Sequence, residues 1–202
     1  MRTKVISLFT LDELDNEARK RAYDAWLQCY SYPWFDENRQ VLKAFENVFP
    51  VRIREYNYGD CGSAVVRFEM TCDEEVESLT GQRLATYIWN NYKPALYKGK
   101  YYSTKGKANA DGKYTYQFRH SRVILSTDCV LTGFWLDNEI LGPIYDFLRK
   151  PDARNFSKLM EDCFYSWLWA CCHDLEESMT FEAFESEADA NEWEFDEQGN
   201  LI

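Results

Sequence analysis

Residues 51–71 read VRIREYNYGDCGSAVVRFEMT, and this stretch decides the fold class. Its two ends, 51–58 and 63–71, are rich in the β-branched and aromatic residues that strands favour. Between them lies GDCG, residues 59–62, a composition typical of a turn. The stretch therefore predicts an antiparallel hairpin.

Apolar residues at helical spacing lie on both sides of this hairpin. Thr10 and Glu13 form a capping-box pattern at the start of the first helix. The spacing predicts helices over 11–29, 36–49, 73–91, 137–150, 155–177 and 181–190. Trp89 falls on the inward face of the third of these helices. Because strands and helices do not alternate, we expect an α+β fold with an antiparallel sheet on which helices pack.

Two further segments have less regular patterns. Residues 92–113 are rich in Tyr, Lys and Gly, and predict a long loop or an extended hairpin, after which 114–131 returns to strand-like composition. A chain of 202 residues suits a single domain, predicted here as 1–202. Within it we distinguish a near-neutral body, 1–158, and an acidic helical C-terminal part, 159–202.

The formal charge is unevenly distributed along the chain. The sequence has 34 acidic and 23 basic residues, a net charge of −11, yet residues 159–202 contain 13 acids and no Lys or Arg. Spaced carboxylates can imitate a phosphate backbone and bind a basic groove on a nucleic-acid-handling protein. The candidate partner-binding residues are Glu176, Glu177, Glu182, Glu185, Glu187, Asp189, Glu192 and Glu194.

The opposite charge accumulates in 93–122, where eight basic residues stand against one acid. Tyrosines alternate with these cations, a combination that can follow a phosphate backbone and stack on bases. The alternative nucleic-acid-binding residues are Lys98, Lys100, Tyr101, Lys105 and Lys107. Two structural alternatives stay open: the acidic part is a solvated surface, or the two charged segments neutralise each other within the fold.

Aromatic residues cluster around Pro33. Tyr30, Tyr32 and Trp34 are the candidate surface anchors for a protein partner, since exposed aromatics dominate many interfaces. The alternative is an aromatic plug beneath the turn between two helices.

Motifs for catalysis or metal binding are weak. The chain has two histidines, and adjacent residues of Cys171-Cys172-His173 would point about 100° apart on a helix, so we expect no metal and no cofactor. Cys61 with His120 is the one pair on which an enzyme hypothesis could rest. We therefore expect a binding protein rather than an enzyme.

Seven cysteines, no secretory signal and no membrane-spanning stretch lead us to expect reduced thiols and a cytoplasmic location.

Several segments have a distinctive sequence: 11–22 with the aromatic stretch 30–35, the element Phe118-Arg119-His120-Ser121, and the closing segments 179–184 and 190–200. Together they resemble a family of small, uncharacterised bacteriophage and prophage proteins, sometimes labelled antitoxin-like. The resemblance implies a phage-encoded protein acting in the host bacterial cytoplasm.

Together with the charge pattern, this resemblance suggests an inhibitor of a bacterial defence effector, of the anti-CRISPR type. The alternatives are a nucleic-acid-binding phage accessory protein that uses 93–122, and an antitoxin that neutralises a basic toxin.

Overall fold

The computed structural model describes residues 7–59, 63–103, 111–112 and 119–202, without the side chains of 100–103 and 119–124. The first helical element in the described residues is a 3-10 turn, Leu11–Glu13. The elements that follow are α1 Asn16–Cys29, α2 Phe35–Val48, β1 Val51–Asn57, β2 Val65–Met70, α3 Glu74–Glu77, α4 Gly81–Leu96, β3 Lys98–Ser103, β4 Arg119–Ser126, α5 Leu136–Arg149, α6 Phe156–Ser178 and α7 Phe181–Ala190.

The predicted α+β class is confirmed. The described strands form two separate antiparallel pairs, β1 with β2 and β3 with β4, rather than one sheet. The prediction of a loop or hairpin for 92–113 is wrong for 92–96, which belong to α4. The strand β3 pairs with β4, beyond that range, so that Lys98 lies opposite Ser126.

The chain divides into two compact units, which are described separately. The first unit comprises Met1–Phe35 and Cys171–Ile202, and the second comprises Asp36–Ala170. The helix α6 begins in the second unit, and its last residues, from Cys171 onward, belong to the first. The prediction of a single domain stays a prediction.

The core of the second unit is formed by one face of each of its long helices. Its fully buried residues include Val41, Phe45, Leu84, Ile88, Ile140, Ile144, Phe147, Phe156, Leu159, Cys163 and Trp167. The β1–β2 hairpin covers this core, since the ring of Phe68 lies 4.7 Å from that of Phe164 and the ring of Tyr56 lies 5.8 Å from that of Trp167. Leu159, Cys163 and Trp167 follow one another at four-residue spacing on α6 and are all fully buried, so this face of the helix lies in the core.

The predicted β1–β2 hairpin is confirmed, and it contains an irregularity in its register. Val51 pairs with Met70, but the register shifts between Ile53 and Glu55. The backbone N–H of Ile53 donates to Oε1 of Glu46, on α2, at 2.9 Å. An α2 side chain thus satisfies a backbone donor at the bulge, where ladder bonding is interrupted. The turn residues 60–62 lie outside the described residues.

The single helix predicted over 73–91 is wrong, because the structure has α3 and α4 with a break between them. Gly81 has φ +55°, a left-handed conformation that glycine tolerates and that interrupts a helix. Thr80, beside it, forms an isolated antiparallel bridge with Asn155. The inward position predicted for Trp89 is also wrong, since 40% of its surface is exposed.

The first unit is built around α1 and α7. Leu11, Ala18, Ala22, Phe184, Ala188 and Phe195 form its buried cluster. Phe9 and Phe195 exchange two backbone hydrogen bonds of 2.9 Å, which join the two segments of this unit. The predicted capping box caps the 3-10 turn, where Oε2 of Glu13 accepts from the N–H of Thr10 at 2.9 Å. The helix α1 has its own N-cap, Asp15.

A buried carboxylate fixes the loop before α5. Asp137 is fully buried, and its Oδ2 accepts the backbone N–H groups of Leu131, Thr132 and Gly133 at 2.9, 2.7 and 3.0 Å. Its Oδ1 accepts the hydroxyl of Thr132 at 2.8 Å. Because several donors converge on one carboxylate, the conformation of residues 131–133 depends on this side chain.

Asp137→Ala should lower the free energy of unfolding by about 3–5 kcal/mol, since it leaves buried donors without acceptors. Asp137→Asn keeps one acceptor oxygen, so we expect about half that loss. Urea denaturation followed by circular dichroism measures both. The control is Asp128→Ala, an exposed carboxylate nearby. Equal stabilities of Asp137→Ala and this control would contradict the assigned role.

A second prediction concerns the first unit, where Gly199 packs against α1. Gly199 has φ +84°, and a Cβ added there would lie 2.2 Å from the carbonyl oxygen of Ala18. Gly199→Ala should therefore cost about 3 kcal/mol or more, from backbone strain together with steric overlap.

The matched control is Gly81→Ala, which has positive φ but whose added Cβ would meet its nearest atom at 3.6 Å. We expect this control to cost about 1–2 kcal/mol, from backbone strain alone. Thermal melts of the two variants test the difference, and equal losses of stability would show that the contact with Ala18 is unimportant.

Candidate functional site: the acidic surface of the first unit

The net charge of the chain lies entirely in the first unit. Its residues include 16 acids and 5 bases, a net charge of −11, whereas the second unit has 18 of each. This division is sharper than the one the sequence indicated, because the charge follows the units rather than the boundary at residue 158.

Two acids counted with the C-terminal part belong instead to ion pairs of the second unit. Asp162 Oδ2 lies 2.8 Å from Nη1 of Arg154, and Glu161 Oε2 lies 2.6 Å from Nζ of Lys158. Paired carboxylates of this kind add little to an acidic surface. Conversely, the first unit gains five acids near its N-terminal end that sequence reasoning assigned to the near-neutral body: Asp12, Glu13, Asp15, Glu17 and Asp24.

The candidate acidic residues lie on the end of α6, on α7 and in the segment after it. Three of them are engaged within the first unit. Glu187 accepts the indole N–H of Trp26 at 3.1 Å, Glu185 lies 3.8 Å from Arg19, and Glu177 lies 3.2 Å from His173.

The other five are exposed, and no ion pair to them occurs within the described part of the chain. We call these residues the acidic surface: Glu176, Glu182, Asp189, Glu192 and Glu194.

The geometry of α7 explains why Glu182 and Asp189 face solvent. Phe184 and Ala188, four residues apart, are buried on one side of the helix. Glu182 and Asp189 are seven residues apart, about two helical turns, so they share one face of the helix. This face differs from the buried face of Phe184 and Ala188. Glu185 lies between Glu182 and Asp189 in the sequence and shares their face. Along the helix axis these three positions are separated by about 4.5 and 6 Å.

The predicted aromatic anchors differ in exposure. Trp34 is 45% exposed, which agrees with the prediction of a surface residue. Tyr30 is half-buried, with its ring 4.8 Å from that of Trp26. Tyr32 is wrong as an anchor, because it is buried and its hydroxyl donates to the carboxylate of Asp174. The alternative of an aromatic plug therefore describes Tyr32, whereas Trp34 is accessible to a partner.

The structure describes little of the alternative basic site. Lys98 is exposed at the start of β3, and its Nζ donates to the carbonyl oxygen of Cys129 at 2.7 Å. Lys105 and Lys107 lie outside the described residues, as do the side chains of Lys100 and Tyr101.

The enzyme hypothesis rests on Cys61 and the side chain of His120, and both lie outside the described residues.

The pKa is raised for four other cysteines. Burial raises the pKa of the thiols of Cys72, Cys129, Cys163 and Cys171 above the ordinary value. Because the thiolate is the nucleophilic form, these shifts disfavour nucleophilic chemistry at these four positions.

The described residues contain no group of three or more His, Cys, Asp or Glu side chains placed to hold a metal ion. In the Cys171-Cys172-His173 segment, Cys171 is buried whereas His173 is exposed, so their side chains do not converge.

None of the helices in the described residues combines the length and the apolar character needed to cross a membrane.

Comparison with known proteins gives no relative: no family model, no curated protein and no solved structure matches this chain. The resemblance of its ends to phage and prophage proteins stays a prediction.

Proposed function

We propose that this chain is a non-enzymatic binding protein whose acidic surface engages a basic, nucleic-acid-handling bacterial protein and inhibits it. The observation that supports this proposal is the concentration of the whole net charge of −11 in the first unit. Five exposed carboxylates there lack an ion pair within the described residues. They are open to cations that a partner supplies.

The spacing of acids on α7 supports the imitation of phosphates. The axial separation of about 10.5 Å between Glu182 and Asp189 corresponds to about three steps of the rise of about 3.4 Å per phosphate along one DNA strand. A groove lined with Lys and Arg for a phosphate backbone therefore offers cations at a similar scale. Complementary charge would also accelerate encounter with such a groove.

The resemblance to phage proteins extends the proposal to the class of target. A phage-encoded protein of this kind would act in the host cytoplasm on a bacterial defence effector that handles nucleic acid, as anti-CRISPR proteins do. An antitoxin that neutralises a basic toxin uses the same physical interaction and differs in the partner.

The experiment that tests the proposal is affinity capture from bacterial lysate with tagged protein, at low and high salt, with nuclease treatment. We expect a protein partner that survives nuclease and is lost at high salt, because salt screens exposed charges. The captured protein is then assayed for binding its own nucleic acid, which this chain should displace. Failure to displace it would contradict phosphate imitation, and a captured toxin would identify an antitoxin.

Neutralising four exposed acids tests the acidic surface directly. The combined variant Glu182→Gln, Asp189→Asn, Glu192→Gln and Glu194→Gln should weaken binding to the captured partner by about thirtyfold, if each surface pair contributes about 0.5 kcal/mol. Surface plasmon resonance at low salt measures this change.

The matched control carries four neutralised acids of the second unit: Asp36→Asn, Asp73→Asn, Glu74→Gln and Glu75→Gln. These side chains are exposed as well, and they change the net charge by the same amount. The control should bind as the wild type does. A similar loss in both variants would mean that net charge alone, rather than the acidic surface, determines the affinity.

Trp34 provides a separate test of an aromatic anchor. If its exposed indole enters a pocket of the partner, Trp34→Ala should lower the affinity by about 2 kcal/mol, roughly thirtyfold. Calorimetric titration of the captured partner with the wild type and the variant measures this change in affinity. The control is Trp169→Ala, in the second unit, where 66% of the residue is exposed. An unchanged affinity of the Trp34→Ala variant would remove this residue from the interface.

A further inference from the structure

The second unit has a cleft that sequence reasoning did not identify. It has a volume of about 510 Å³ and is lined by α4, α5 and the residues next to β3 and β4. The lining residues that matter here are Gln82, Thr86, Trp89, Tyr97, Tyr145 and Arg149. Its volume falls in the range of about 300–1,000 Å³ that is typical of sites for small molecules.

Three aromatic rings form one wall of the cleft. The ring of Tyr97 lies 5.6 Å from that of Trp89 and 5.7 Å from that of Tyr145. Burial raises the pKa of the Tyr145 phenol, whose hydroxyl donates to the carbonyl oxygen of Leu96 at 2.7 Å and so fixes the ring. Trp89 keeps 40% of its surface exposed. An indole that packs against one neighbouring ring and is partly open to solvent is a surface on which a flat ligand can stack.

Cations accompany this aromatic wall. Nζ of Lys93 lies 4.4 Å from the centroid of the Trp89 ring. Arg149 lines the cleft, and its Nη1 lies 3.2 Å from Oδ1 of Asp146, a pair with most of its surface exposed. Lys93 contacts Trp89 and Arg149 lines the cleft, so these two cations outnumber Asp146 by one. That positive balance disfavours a cationic ligand, such as a methylated ammonium, and favours an anionic one.

Polar groups complete the site. Gln82 and Thr127 line the cleft, and their side chains can donate and accept hydrogen bonds to the edge of a ligand. A flat ring with a hydrogen-bonding edge and an attached anionic group matches these features together. Nucleotides have this combination of groups.

We propose that this cleft binds a nucleotide, whose base stacks on Trp89 and whose phosphate lies at Arg149. The nucleotide is either free or one unit of a single-stranded nucleic acid, because both present the same base and phosphate. The proposal concerns the second unit, and it does not depend on the partner of the acidic surface.

The test is isothermal titration of the full chain with AMP and with a short single-stranded oligodeoxyadenylate. We expect AMP to bind more tightly than adenosine, which lacks the phosphate, and than ribose 5-phosphate, which lacks the base. Tighter binding of the oligonucleotide than of AMP identifies a nucleic-acid strand as the source. Equal binding identifies the free nucleotide. The proposal is overturned if neither AMP nor the oligonucleotide binds at millimolar concentration.

Substitutions locate the binding. Trp89→Ala should weaken AMP binding by about tenfold, the effect expected for loss of one stacking partner. The matched control, Trp135→Ala, removes an indole of the same 40% exposure that does not line the cleft. It should bind AMP as the wild type does. Equal losses in the two variants would overturn the proposal.

Two further variants test the position of the ligand and the contact with its phosphate separately. They keep the proposal testable if Trp89→Ala does not fold. Thr86→Trp fills the cleft without removing a ring and should abolish AMP binding. Arg149→Gln should weaken binding of AMP but leave binding of adenosine unchanged, whereas Lys150→Gln, one residue further on, should change neither. Normal AMP binding by Thr86→Trp would show that the ligand binds elsewhere and would overturn the proposal.

Discussion

The burial of Phe184 is the interaction on which the first unit depends. This residue is 1% exposed, and its ring lies between 5.4 and 6.5 Å from the rings of five other aromatic residues: Tyr23, Trp26, Phe181, Trp193 and Phe195. Two of these rings come from α1, and the others come from α7 or from the segment after it. Because α7 must place Phe184 among them, the helix has one permitted rotation about its axis. The same rotation directs Glu182 and Asp189 to solvent, so the α7 part of the acidic surface is a consequence of this apolar cluster.

Much of the fold could be predicted from local patterns, because apolar periodicity reports which side of a helix is buried. The positions of α2, α5, α6 and α7, and the β1–β2 hairpin, follow from such patterns. The failures have tertiary causes. The break at Gly81 coincides with the bridge between Thr80 and Asn155, a contact across 75 positions of sequence. Tyr32 is buried, and its hydroxyl donates to Asp174, a residue 142 positions away in the sequence.

The candidate site was partly visible in the sequence. The absence of Lys and Arg after residue 158 can be read directly from the sequence, and it identified the acids of α7 as candidates. The five N-terminal acids of the first unit do not stand out in the sequence, because basic residues lie among them. They belong to the same unit as α7 through tertiary contacts such as the pairing of Phe9 with Phe195. The aromatic cleft was invisible for a similar reason. Its walls come from three separate segments, and the helical pattern of α4 placed Trp89 inside rather than at the rim.

The order in which the ribosome makes the chain has a consequence for the first unit. The second unit is continuous in sequence, so all of its residues have been synthesised once Ala170 has been added. The first unit is discontinuous, and α1 must wait for Phe184 and Phe195 before its apolar face can be covered. Domains generally fold as their residues emerge during synthesis. Translation therefore delays the acidic surface, because a nascent chain that stalls before α7 contains every residue of the aromatic cleft but lacks the helix that carries Glu182 and Asp189.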